Sequence, residues 1–198
     1  VNELFRHARE FKRYLTNHQF ERMPDGGVLF PRAAAIARGV YVHGVNGRDW
    51  QEDANLLPDE GLNHMLDVTL NSGTQITTWY FALYSGAVSP AANWNAAGFA
   101  ATATEITSSN PGYSETTRQL WVGANASSDS TNNLSNKAVF TIAVSSGTLT
   151  VNGCGMLSAS TKGSTSGKLV SASRFGATRT LSDGDLFNLG YTLTLSSS

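Results

Sequence analysis

The sequence predicts a mainly β protein, an antiparallel β-sandwich (jelly-roll-like or immunoglobulin-like) preceded by an N-terminal arm with a short helix and extended segments. Three observations predict it. First, composition changes near residue 70: residues 1–70 hold 18 of the 29 charged residues, all four histidines and no serine, whereas residues 71–198 hold 40 Ser and Thr in 128 positions. Second, the last strand-like run alternates cleanly, with Phe187, Leu189, Tyr191, Leu193 and Leu195 against Asn188, Gly190, Thr192 and Thr194. Third, short runs rich in aromatic and β-branched residues recur through the second part, separated by Gly, Asn and Ser, as in antiparallel meanders rather than βαβ units. The organisation expected is an arm over 1–56 and a sandwich body over 57–198.

The arm opens on a helical pattern. Leu4, Ala8, Phe11 and Leu15 recur at helical spacing, Asn2 is placed to cap, and Arg6, Arg9, Lys12 and Arg13 take the other faces. Four apolar contacts make a thin stripe, so such a helix needs a surface to lie against. "MPDGGVLFPR" then supplies a Pro-Asp-Gly-Gly turn and a short extended piece, and "RGVYVHGVNGRDW" reads as a strand running into an Asn-Gly turn. Pro24, Pro31 and Pro58 cut this stretch into pieces too short for a core of their own. They read as segments that pack on a body or on a neighbouring subunit.

The body begins at "PDEGLNHMLDVTL". Pro58 at a first helical position and Asp59 and Glu60 in the first turn are helix-start chemistry. Leu62, Met65 and Leu66 are expected to form its buried face, leaving Glu60, Asn63, His64 and Asp67 wet. "ITTWYFALY" (76–84) and "KAVFTIAV" (137–144) are apolar on both alternating sets, as strands covered on two sides would be. Further strands are expected over 99–107, 117–123, 148–157 and 168–173, before the closing strand that follows the turn Ser182–Asp185. "SPAANWNAAG" (89–98) reads as one or two helical turns inside the β body.

The totals exclude several classes. A formal net charge of −1 gives no global attraction to nucleic acid or anionic membrane. No run approaches the roughly 18–20 apolar residues of a membrane span, and the charged opening "VNELFRHAREFKRYL" reads as neither a signal peptide nor a hydrophobic anchor. The single cysteine, Cys154, permits no internal disulfide and no Cys-based zinc site, and is expected to be a small buried strand residue.

No catalytic, cofactor or metal site is expected. Glu60, His64 and Asp67 share a helical face, but helix-start chemistry accounts for them without a ligand. No G-x-S-x-G elbow, P-loop or H-E-x-x-H is present, and residues 71–198 hold no histidine to activate a serine. Glu105 with Glu115 is the one carboxylate pair that could span a cleft. The basic residues of the first helix are offset by Glu3, Glu10 and Glu21, and read as a solvated or partner-facing surface. Asn125 and Asn133 begin glycosylation sequons of the sort an Asn/Ser-rich loop produces by chance. Trp79 and Trp121 sit in strand patterns, whereas Trp50 and Trp94 lie in irregular stretches and are candidates for a contact surface, glycan or protein.

Three longer stretches carry a resemblance. "NWNAAGFAATATEIT…GYSETTRQLW" (93–121), "RFGATRTLSDGDLFNLGYTLTL" (174–195) and "LNHMLDVTLNSGTQITTWYFALYSG" (62–86) resemble small structural proteins of tailed bacteriophages, closest in style to capsid cement or decoration proteins. The resemblance covers most of 57–198 and rests on turn and strand patterns. It implies a β-sandwich, usually trimeric, on the outer surface of a capsid made in the bacterial host cytoplasm, where it clamps neighbouring major capsid proteins. It supplies no active site and implies a structural pair between Glu105 and Arg118. Residues 1–56 depart from the shorter members and are expected to contact the capsid or a neighbouring subunit. Phe5, Phe11, Arg13, Phe30, Arg32, Tyr41, Trp50 and Trp94 are the contact candidates. The alternatives are a glycan-binding head-fibre or tail-spike module using Trp50 or Trp94, and a metal-assisted hydrolase using Glu60, His64 and Asp67.

Overall fold

The computed structural model describes residues 21–22, 28–29 and 35–197. The chain divides into two compact units, residues 1–36 with 196–198 and residues 37–195. In the first, β1 (Glu21–Arg22) and β2 (Val28–Leu29) pair antiparallel, Glu21 opposite Leu29.

The second unit is two antiparallel sheets packed face to face. One holds β3 (Ala35–Val45), β4 (Arg48–Ala54), β6 (Gly112–Tyr113), β9 (Ala138–Ala143) and β12 (Leu186–Ser197) in the order β4-β3-β12-β9-β6, and β8 (Ser130–Asn132) also pairs with β12. The other holds β5 (Trp79–Tyr84), β7 (Gln119–Trp121), β10 (Leu149–Leu157) and β11 (Leu169–Leu181) in the order β11-β10-β5-β7. α1 (Asp59–Leu70) and α2 (Ala96–Ala103) complete the unit.

The cores follow from alternation. Phe140, Ile142, Phe187, Leu189 and Tyr191 from one sheet meet Phe81, Leu83, Val151, Cys154 and Phe175 from the other. On the outer face of the second sheet, Ala82, Tyr84, Leu157, Leu169 and Ala172 pack under Phe99, Ala103 and Trp94. β5 is therefore covered on both sides, which is why both of its alternating sets are apolar. β9 is not. Ala138, Phe140 and Ile142 are buried, while Val139 is exposed, so the two-sided reading of 137–144 is corrected to one.

Three further expectations change. Residues 99–107 are not a strand; α2 occupies 96–103, its start capped by the Asn95 carboxamide oxygen accepting from Gly98 N at 2.8 Å. The Asn95 cap and a burial spacing of Ala96, Phe99 and Ala103 favour the helix, while small alanines let the same letters mimic an alternating strand. Its Phe99 lies on β10 where a side chain is missing: a Cβ on Gly155 would sit 2.6 Å from the Phe99 ring. β11 runs on to Leu181, well past the expected end at 173.

The boundary at 56 also moves. Residues 37–54, read as arm, form the β3–β4 hairpin of the body, turning at Asn46 and Gly47, both with positive φ. Their inward side chains include Tyr41 and His43, both fully buried. The chain leaving β4 then crosses to the other sheet, where Leu56 and Ala172 exchange backbone hydrogen bonds of 2.8 and 3.0 Å.

Candidate functional site

α1 lies against β11 by its smallest residue. A Cβ on Gly61 would come within 2.7 Å of the Val170 carbonyl oxygen and 2.8 Å of its Cα, so no other residue type allows this approach. Beside it, one Glu60 carboxylate oxygen accepts from Ala96 N and Leu169 N, both at 2.8 Å, tying α1 to the start of α2 and of β11. Those two contacts rotate the helix away from the expected orientation. Gly61 is buried and His64, Met65 and Val68 are half-buried, whereas Leu62, Leu66 and Leu70 face out at 38, 54 and 73% exposure. The sequence reading placed Leu62 and Leu66 inside and His64 outside; both are corrected.

The Glu60, His64, Asp67 face is thereby resolved into three separate duties. Glu60 fastens elements, His64 meets the Trp79 ring edge-on at 5.8 Å, and the exposed Asp67 faces Asn71 near the helix end. Among the described residues no three His, Cys, Asp or Glu side chains converge as a metal-ligand set.

Other carboxylates hold the fold as well. Glu105 and Arg118 form a bidentate pair, Nε to Oε1 at 2.8 Å and Nη2 to Oε2 at 2.7 Å, both side chains fully buried. Arg118 also donates to the Ala159 carbonyl, and Glu105 accepts from Gly163 N, so the pair pins the 159–164 loop between α2 and β7. Glu115 accepts from Thr141 N, Asp183 from Val144 N and Asp185 from Ser182 N, which leaves no free Glu105–Glu115 dyad. Asn133, in one sequon, is buried and accepts from Tyr191 N at 2.7 Å.

A second polar cluster was not visible in the sequence. His43 stacks on Phe175 at 3.8 Å, its Nε2 lies 2.8 Å from Asp53 Oδ2, and its Nδ1 accepts from Arg179 Nε at 3.1 Å. With Nδ1 an acceptor, Nε2 carries the proton and donates to Asp53. This is a triad in outline, but the third member is a guanidinium rather than a nucleophile, so it orients strands and does no acyl chemistry. Asn55 is the other surprise: its amide donates to Ser171 and Tyr191 and accepts from Gly39 N, locking β3, β11 and β12 together. Nothing local in the sequence marks Asn55 out, because its Ser171 and Tyr191 partners lie 116 and 136 positions away.

His43 makes stability depend on pH. Burial, first, and the Arg179 charge lower its pKa below 6.5, with Asp53 pulling the other way. The unfolded chain therefore binds the proton more readily between that lowered value and 6.5, so this group lowers stability as pH falls through the window and contributes no penalty above it. Thermal melts at about pH 7 and about pH 5 should show the wild-type chain losing more than His43→Gln over the same interval. An identical loss in both would dismiss the coupling.

The contact candidates divide as follows. Phe5, Phe11, Arg13, Phe30 and Arg32 lie outside the described residues. Tyr41 is not a surface residue; it is fully buried, stacks on Tyr191 at 4.5 Å and donates to Ser171 Oγ at 3.0 Å. Trp94 is likewise buried, packed edge-on to Tyr84 and Phe99, each at 6.2 Å. Both are corrected from contact to core. Trp50 is 44% exposed on edge strand β4, with Lys137 Nζ 4.9 Å from its ring centroid, so the glycan reading retains one of its two tryptophans.

One open feature of this unit is apolar. Between α1, β5, β7 and the end of β12 lies a cavity of about 320 Å³, lined among others by His64, Met65, Val68, Trp79, Trp121 and Leu193. Leu195, also on its wall, is 54% exposed. Because β12 alternates, Leu193 and Leu195 continue the core series beyond the point where the opposing sheet covers it. The cavity and the outward leucines of α1 form the candidate contact site. Among the described residues no helix is long and apolar enough to cross a membrane. The class these features define is a β-sandwich with a hydrogen-bonded polar interior and an exposed apolar face. No family model matches the chain, and no curated protein matches it.

Proposed function

We propose that this chain is a virion structural protein, a cement protein that sits on the outside of a phage head and clamps neighbouring major capsid proteins, working as a homotrimer. The observation that supports this reading best is the division of labour in the body. Buried carboxylates, amides and the His43 imidazole hold strands and loops together, while the exposed apolar face of α1 and the adjacent cavity offer burial to another chain. A clamp needs stiffness and contact area rather than a reacting group, and an N-terminal segment laid along a partner spreads contact over a long surface. The resemblance of 62–86, 93–121 and 174–195 to phage structural proteins is what points this reading to the major capsid protein as partner.

The test removes the N-terminal segment together with the β1–β2 pair and spares the two packed sheets of the second unit. Deleting residues 1–34, rather than 1–56, keeps the β3–β4 hairpin. The truncated chain is expected to retain a cooperative melt and β-type circular dichroism, and to lose binding to capsids in a pelleting assay. Undiminished occupancy of capsids by the truncated chain removes the proposal.

A further inference from the structure

The cavity beside α1 lies at the end of the second sheet. Trp79 opens β5 and Trp121 ends β7, and the two stand opposite each other in register. Gly61 and Glu60 draw the start of α1 onto β11, and Met65, Val68 and Thr69 of its second half wall the space. An apolar cavity of about 150 Å³ takes one benzene ring. At about 320 Å³ this one has room for roughly twice that bulk, a two-ring molecule.

The polar groups on its wall are mostly committed. Thr69 Oγ1 donates to the Met65 carbonyl, Thr131 Oγ1 donates to the Ala124 carbonyl, and the Tyr191 hydroxyl accepts from Asn55. Gln75 is exposed to solvent. Trp121 differs: its indole Nε1–H is buried and has no hydrogen-bond partner among the described residues. A buried donor left unpaired costs stability that an acceptor recovers. No Lys, Arg, Asp or Glu lines the space, so an ion entering it would lose its hydration without gaining a counter-charge. The two indoles and the thioethers of Met65 and Met156 suit the faces and edges of an aromatic guest. We propose that this cavity binds an uncharged aromatic molecule carrying one hydrogen-bond acceptor, a carbonyl or ether oxygen, which takes the Trp121 N–H. The proposal goes beyond the cement reading and does not depend on it, since the outward leucines of α1 (Leu62, Leu66 and Leu70) are not on the cavity wall.

The test titrates the full-length chain by calorimetry with three two-ring probes. Acetylnaphthalene, neutral and with a carbonyl oxygen, is expected to bind with a Kd of about 0.1 mM or tighter. Ethylnaphthalene has the same bulk without the oxygen and should bind about fivefold more weakly. Naphthoate carries a charge into an apolar space and should bind about tenfold more weakly or not at all. Trp121→Phe keeps an aromatic ring and removes the donor. It should weaken acetylnaphthalene about fivefold and shift ethylnaphthalene by less than about twofold, a split that a general loosening of the wall does not produce. Val68→Phe fills the space from α1 and should abolish binding of acetylnaphthalene while the chain keeps a cooperative melt. Failure of the full-length chain to bind acetylnaphthalene saturably overturns the proposal, including the case in which another segment of the chain already fills the space. Naphthoate binding as tightly as the ketone overturns it too, as does a Trp121→Phe effect of the same size on both neutral probes. Undiminished binding by a folded Val68→Phe chain would place the probe elsewhere and remove the site.

Discussion

Arg118→Ala is expected to lower the unfolding free energy by about 3–5 kcal/mol, because it leaves a buried carboxylate without its partner. The guanidinium makes two bonds to Glu105, at 2.8 and 2.7 Å, one to the Ala159 carbonyl at 2.9 Å and a longer one to the Ser164 carbonyl at 3.4 Å, with neither charged side chain in contact with solvent. Without it, Glu105 keeps only the 3.2 Å bond from Gly163 N. Urea denaturation gives the loss directly. Arg118→Met combined with Glu105→Leu should recover much of it, since removing both charges removes the uncompensated desolvation. A loss under about 1 kcal/mol for the alanine variant would mean that water reaches the pair, as at a surface ion pair.

Phe187→Ala should cost a similar amount, about 3–5 kcal/mol, by opening a cavity where the sheets meet. Its fully buried ring lies 6.0 Å from Phe175 of the opposing sheet, 6.3 Å from Phe140 and 5.7 Å from His43. Leu195→Ala, eight positions along the same alternation, removes a residue that is 54% exposed and should change stability by about 0.5 kcal/mol or less. The contrast separates core from contact surface on one strand. Equal losses at the two positions would show that the cavity end is packed as tightly as the centre.

That contrast also marks how far a sequence reading reaches. The closing strand is legible because its alternation is carried by its own residues, and the Asn46-Gly47 turn because two letters satisfy two positive φ angles. α2 is hard to read from the sequence because its alanines fit either period, and the Asn95 cap is the local signal against a strand. α1 was recognised as a helix but rotated in error, since hydrophobicity favoured Leu62 and Leu66 while the packing was decided by Gly61 and Glu60.

The arm boundary failed for the same kind of reason. Flanking prolines, Pro31 and Pro58, and a high density of charge make 37–54 look coreless, yet Tyr41 and His43 acquire a core from β11 and β12, 130 or more residues away. Glu105 and Arg118 were named together only through a likeness of pattern; their two bonds, their burial and the loop they pin are tertiary facts.

By itself, then, the sequence determined the β class, the strand and turn positions whose periodicity is local, and the absence of familiar catalytic spacings. The tertiary structure decided which side of each element is covered, which polar groups are locked together and which leucines are left facing outward. Periodicity is written residue by residue along one segment, whereas burial is a property of two segments and depends on the surface each one meets.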